Sequence, residues 1–237
     1  MDVPDAGART FIPQGWVPDV NLSDALRAFG TNEEKLCRLE EDASARRQQF
    51  QELGVPGLAS LTVQQAVAIM AYTEENRNLY PVLNRVMRTH GAVAAAKLKT
   101  FTSYIFYLSK ALENLLSHSG TVYRGINVRL SPDLYKVGKT ITWQSFSSAT
   151  NMMQTLKFLD RQGTQLVGSI FVIASSTGKE IEELSEYPEE EEVLFNHNTF
   201  YRVNNAVQNE HDKRAALPAF GGYGLQNLDV YVLEQVG

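Results

Sequence analysis

The 237-residue sequence has a single cysteine, Cys37. That excludes an intramolecular disulfide and disfavours a cysteine-based metal site, and it fits a reducing compartment or a protein that unfolds during delivery. No apolar run approaches the roughly 20 residues that cross a bilayer. The start, "MDVPDAGART", lacks the basic and apolar regions of a signal peptide. The histidines (His90, His118, His197 and His211) are scattered without ligand spacing, so no zinc site is expected. Positive charge is not in excess either. The net charge of −5 gives no global attraction to nucleic acid or an anionic membrane. Internal repeats and low-complexity linkers are also missing.

What is present suffices for a core: 43% of the residues are hydrophobic and 10% aromatic. Residues 1–30, with three prolines and little periodicity, are expected to form an irregular or loosely docked arm. Thr31 with Glu34 resembles a capping box opening a charged helix that runs to Leu53, broken by Gly54, Pro56 and Gly57. Thr62 with Gln65 is a second box, opening "VQQAVAIMAYTEENRNLY", and Pro81 starts a further helical segment. Phe101, Ile105, Leu108, Leu112 and Leu115 recur at helical steps, with Gly120 as the stop. From Thr121 the apolar groups become short and alternating. The expected strands are "TVYRGI", "KTITWQSF", "VGSIFVIA", "EEVLF", "TFYRVNNA" and "LDVYVLEQ", with one helical stretch, "MMQTLKFLD". Helices first and strands later indicate an α+β chain. "GGYG" at 221–224 reads as a loop, since no strand-to-helix context makes it a phosphate cradle.

Three polar stretches interrupt apolar strands. In "YPEEEEVLF", residues 187–195, consecutive glutamates run into Val193, Leu194 and Phe195. In a strand, side chains alternate faces, which puts Glu190 and Glu192 on one side and Glu189 and Glu191 on the other. Like charges about 6–7 Å apart in a reduced dielectric need compensation. The simpler reading of this run alone is a solvated edge with gatekeeper charges. In "TVYRGI", Arg124 sits in a β-branched and aromatic strand beside Gly125, a place for close approach. Its guanidinium needs an anion, either a glutamate in a structural ion pair or a phosphate bound bidentately. In "WQSFSSAT", the hydroxyls either satisfy neighbours or supply a serine that orients a carboxylate.

Taken in order, aromatic-Arg-Gly, Phe-x-Ser-x-Thr, and Tyr-Pro followed by Glu-x-Glu-Val-Leu resemble the arginine–serine–glutamate class of mono-ADP-ribosyltransferases. That class includes vertebrate ecto-enzymes and bacterial toxins. The resemblance covers residues 60–237, including the lead-in "MAYTEENRNLYPVLNRVMR" and the final "LDVYVLEQ". It implies an N-terminal helical region followed by a two-sheet β core of the ADP-ribosyltransferase type. Residues 1–59 would be an arm and helix. Residues 60–237 would be the catalytic domain, with a helical lead-in at 60–119 and a β core at 120–237.

The resemblance implies that Arg124, with Gly125 beside it, holds the phosphates and ribose of NAD. Ser148 corresponds to the motif serine and Thr150 to its last position, with Ala149 and Thr150 departing from the commoner Ser-Thr-Ser. Ser147 is one position away, and strand alternation lets only one of the two serines share the site. Glu192, directly before Val-Leu, takes the catalytic place and Glu190 the first of the pair; a one-step slip would promote Glu189 and Glu191. Residues 183–191 would present the acceptor, with Tyr187 in contact with it. In "KFLDRQGT", Arg161 would touch the pyrophosphate and Phe158 would stack on nicotinamide.

The chemistry of those residue types agrees. Breaking the nicotinamide–ribose bond builds positive charge on the sugar, which a carboxylate at Glu192 would stabilise. An arginine acceptor arrives as a cation with a pKa above about 12, so a second carboxylate at Glu190 must attract it and take a proton. NAD is then a substrate, and no metal is required. The implied activity is transfer of ADP-ribose from NAD to a protein side chain, arginine above all. An NAD glycohydrolase, a transferase to another acceptor, and a non-catalytic binding module on the same fold remain alternatives. The expected partners are NAD and a target protein, without nucleic acid or membrane. The chain is expected to act as a monomer, in the cytosol or as a secreted effector or toxin in a host cytosol.

Overall fold

The computed structural model describes residues 9–74 and 79–236. They fall into two compact units. A helical unit comprises Arg9–Leu116 and Lys179–Glu189, and a strand unit comprises Ser117–Gly178 and the chain from Glu190 onward.

The helical unit contains α1 (Leu22–Ala28), α2 (Glu33–Leu53), α3 (Val63–Thr73), α4 (Leu79–Arg88) and α5 (Ala92–Asn114). Helix α1 lies inside the stretch expected to be irregular; Asn21 caps it by accepting the Asp24 N–H. Helix α2 is capped by Asn32 rather than Thr31. The Asn32 side chain accepts the Lys35 N–H, and asparagine is at least as good a cap as threonine. Gly54 ends α2 in the left-handed region at φ 64°, as glycine does at helix C-termini. The Thr62–Gln65 capping box forms in full. Helix α3 is buried on every side from Ala66 to Thr73, the pattern of a central helix. Residues 75–78, in the middle of the longer helix expected there, lie outside the described residues, as do residues 1–8 of the arm. Pro81 sits within the first turn of α4, not at its start, where its missing N–H costs nothing. Helix α5 buries Phe101, Ile105, Leu108 and Leu112 as the spacing requires. It stops at Asn114 with Leu115 as its cap, and Gly120 lies in the following strand instead of ending the helix.

The strand unit holds β1 (Ser117–Ile126), β2 (Thr140–Trp143), β3 (Ser147–Ala149), β4 (Asp160–Gln162), β5 (Gln165–Glu180), β6 (Val193–Phe195), β7 (Thr199–Val207) and β8 (Leu228–Gln235). The last two residues of β5 group with the helical unit. The eight strands follow the order β2-β7-β8-β5-β6-β3, with β1 and β4 also paired to β5. β5 and β8 run parallel, while β2–β7, β3–β6 and β7–β8 run antiparallel. The chain is thus α+β, as its pattern of helices and strands implies. One buried cluster gathers Tyr135, Trp143, Phe171, Phe195, Tyr201 and Tyr231, and a second gathers Leu166, Ile170, Leu217, Phe220 and Leu228. The stretch "MMQTLKFLD" does not form an α-helix. It is a 3-10 turn, Gln154–Phe158, running into β4. A short helix, α6 (Glu210–Ala216), capped by Asn209, follows β7 where no helix was expected.

Candidate active site

The site is assembled from β1, β3 and the turn that precedes β6. In β1, Arg124 reaches across to β3. Its Nη1 donates to the Ser148 carbonyl at 2.6 Å and lies 3.4 Å from the Ser148 hydroxyl. The guanidinium also lies over the Trp143 ring, 5.8 Å from its centroid, a contact that favours a cation without neutralising it. Strand alternation separates the two adjacent serines. Ser147 is buried and donates to the Ser145 carbonyl, whereas Ser148 faces the cleft and hydrogen-bonds the Glu192 carboxylate.

The acidic run does not continue β6, contrary to the strand expected over "EEVLF". Pro188–Glu190 form a 3-10 turn, Glu191 takes a left-handed conformation at φ 47°, and β6 starts only at Val193. The pleat therefore does not put Glu190 and Glu192 on one side; a turn and one left-handed residue do. Both carboxylates line the same cleft, so the pairing predicted from alternation exists through different geometry. The Thr150 hydroxyl donates to the Glu190 carbonyl and ties the turn to the end of β3. Thr150 also exchanges both main-chain hydrogen bonds with Tyr123, each 2.7 Å long, which locks β1 to the same corner.

The cleft has a volume of about 320 Å³. Arg124, Ser148, Glu190 and Glu192 line it, and so do Gly125, Thr150 and Phe158. Ala149 and Tyr123 complete the lining; sequence reasoning gave Tyr123 no role, although it is the aromatic residue of the Arg124 motif. Burial raises the Tyr123 phenol above its ordinary value. Gly125 is required by its own chain. A Cβ there would meet the Thr155 carbonyl at 2.8 Å and Phe158 Cβ at 3.3 Å, so the turn that carries Phe158 closes directly over β1. Arg161 and Tyr187 are not among the lining residues. Arg161 lies on β4 with its guanidinium 5.3 Å from the centre of the Tyr223 ring, and Tyr187 belongs to the helical unit.

Electrostatics single out Glu192. Its carboxyl is pushed from an ordinary value near 4.5 up to about 7, chiefly by burial and then by Glu190; the Ser148 hydrogen bond and Arg124 oppose the rise. A carboxylate held this way gains from any positive charge that develops beside it. Among the described residues, no group of three or more His, Cys, Asp or Glu is placed to hold a metal ion.

Bovine ecto-ADP-ribosyltransferase 5 is 32% identical over 162 residues, covering 63% of this chain and 47% of the relative. The chain spans about half the length of the curated relatives it matches. Among solved structures, the ADP-ribosyltransferase HopU1 of Pseudomonas syringae superposes with a TM-score of 0.65 at 19% identity, covering 93% of this chain and 99% of the other. The ADP-ribosyltransferase Vis of Vibrio splendidus, solved in complex with agmatine, gives 0.55 at 20% identity, covering 89% and 90%. At those identities the superpositions establish the fold. Residues 20–221 match the model of the NAD:arginine ADP-ribosyltransferase family, and the chain belongs to that family.

Proposed function

We propose that this chain transfers ADP-ribose from NAD to the guanidino group of an arginine on a target protein, releasing nicotinamide. The observation that carries the reading is the convergence of Arg124, Ser148, Glu190 and Glu192 on one cleft.

In this reading Arg124 meets the pyrophosphate bidentately. The bond between ribose C1 and the nicotinamide nitrogen breaks, and its electron pair leaves with the ring, which becomes neutral. The cation left on the sugar faces Glu192, whose carboxylate gains more from that charge than it loses by burial. The Ser148 hydroxyl keeps the Glu192 carboxylate in place. A guanidinium nitrogen then attacks C1 and its proton passes to Glu190. Water in place of the guanidinium gives hydrolysis, which needs Glu192 but not Glu190.

Support for arginine as acceptor comes from the family's arginine-specific description and from a neighbour solved with agmatine, a guanidino compound. The chain acts as a monomer on NAD and its protein target. The single cysteine, Cys37, is exposed and unpaired, which suits a reducing cytosol, its own or a host's. No helix among the described residues is long and apolar enough to cross a membrane.

The test is incubation with NAD and agmatine, followed by mass spectrometry of the acceptor and assay of free nicotinamide. An adduct of ADP-ribose mass, formed with matching nicotinamide release, is expected. Release at the same rate with and without agmatine and no adduct would make the protein a glycohydrolase. No release with agmatine or a cell lysate would make it a binding module.

A further inference from the structure

Thr150 follows β3 directly, and both it and Glu190 belong to the strand unit. The register of β3 against β6 pairs Ser147 with Phe195, Ser148 with Leu194 and Ala149 with Val193. One more step would set Thr150 opposite Glu192. The ladder stops short of that step, because β6 starts only at Val193 and Glu191 bends the chain before it. Thr150 gives its main chain to β1 instead, through the two bonds with Tyr123. What it turns toward the acidic run is its hydroxyl, which donates to the Glu190 carbonyl.

Alternation puts Ser148 and Thr150 on the same side of the extended chain, with Ala149 between them turned into the cluster of Tyr135 and Trp143. Two hydroxyls thus stand side by side, and each goes to a different acid. Ser148 hydrogen-bonds the Glu192 carboxylate. Thr150 holds the main chain of Glu190 and leaves the carboxylate of that residue to the cleft. A hydroxyl has one proton, so while Glu190 takes it Thr150 has no donor to offer NAD. Thr150 is 4% exposed, and a β-branched side chain is stiff at χ1. Its hydroxyl is therefore a fixed point for the turn to hang on.

We propose that Thr150 is a positioning residue for Glu190: its hydroxyl fixes the end of the acidic turn, and through it the place at which the second acid meets the acceptor. The inference deepens the function proposed above and rests on the acceptor role given there to Glu190. It divides the labour of one short strand. Ser148 serves the acid that faces the sugar, and Thr150 serves the acid that receives the guanidinium.

The experiment measures nicotinamide release to water and transfer to agmatine, each per folded molecule. It compares wild type with Thr150→Val, Thr150→Ala and Thr150→Ser, alone and combined with Glu190→Gln. Thr150→Val keeps the shape and removes the donor. It should lower kcat/KM for agmatine about tenfold relative to hydrolysis, the scale of one lost hydrogen bond. Thr150→Ala should shift the same ratio in the same direction despite its different packing, and Thr150→Ser should bring it back close to wild type. With Glu190→Gln in place, removing the Thr150 hydroxyl should leave the ratio where Glu190→Gln alone puts it, since a residue that acts through another has nothing left to add. Equal loss of transfer and hydrolysis in Thr150→Val and Thr150→Ala overturns the proposal. So does a shift that persists undiminished in the Glu190→Gln background. A wild type that releases nicotinamide but never modifies agmatine overturns the acceptor reading itself, and this inference falls with it.

Discussion

Glu74 in the helical unit is a buried carboxylate and Glu192 in the strand unit a half-buried one at the wall of the cleft, and their surroundings differ in kind. Glu74, 3% exposed, forms an ion pair with Lys35 and has the Arg38 guanidinium 3.5 Å away. Two cations answer one acid. Glu192 has a hydroxyl, one guanidinium and an opposing acid, and its carboxyl is held near neutrality. The first arrangement completes itself within the protein. The second leaves the acid short of positive charge, which in the proposed reaction would come from the sugar. Burial of an acid therefore does not mark a site; the missing share of positive charge does.

Glu192→Gln should break the comparison most sharply. Nicotinamide release at pH 7.5 should fall by at least about 10³-fold, the scale of losing a main electrostatic stabiliser of the transition state. The same change should stabilise the fold in alkali. The folded-state carboxyl titrates above its ordinary value, so its contribution to stability is full in acid and is lost as pH rises through about 7. The variant should gain about 2–3 kcal/mol over wild type in urea unfolding at pH 8, and nothing below pH 4. In the wild type, kcat/KM for NAD should rise with pH up to about 7 and then level off.

Glu74→Gln should do the reverse. It removes the charge from the ion pair with Lys35, so unfolding should become easier by about 1–3 kcal/mol, while nicotinamide release per folded molecule stays unchanged. A loss of turnover in a still-folded Glu74→Gln protein would blur the distinction between the two acids. Glu190→Gln divides the proposed catalytic pair itself. Transfer to agmatine should drop about 10²-fold, as for loss of a general base, with hydrolysis persisting. Arg124→Lys is the mildest change, weakening NAD by about 1–3 kcal/mol in calorimetric titration as the forked contact is lost.

Much of this was legible in the sequence, for physical reasons. The long helices were, because the apolar steps of α5 and the Thr62–Gln65 box are local signals that packing did not overrule. The separation of Ser147 from Ser148 followed from strand alternation and holds in β3. Alternation misled at the glutamates. Pro188 and the left-handed Glu191 replace the pleat with a turn, and a glutamate carries no local mark of positive φ. The cap of α2 slipped by one residue because Thr31 and Asn32 are both capable caps and only the fold chooses. The 3-10 turn before β4 has helical composition but only five residues, too few to make a helix without support. Tyr123 was visible beside Arg124, yet nothing local separates a cleft-lining aromatic from a core one.

Glu191 carries a consequence that reaches past its own exposed side chain. With φ at 47°, this residue shares with the preceding 3-10 turn the work of bringing the two acids to one cleft. A β-branched side chain there would resist that rotation and draw the chain back toward the extended form. The acids would part without either being altered. Glycine would hold the same bend at less strain. If Glu190 receives the acceptor as proposed, the backbone torsion at residue 191 bears indirectly on which acceptor the protein can serve.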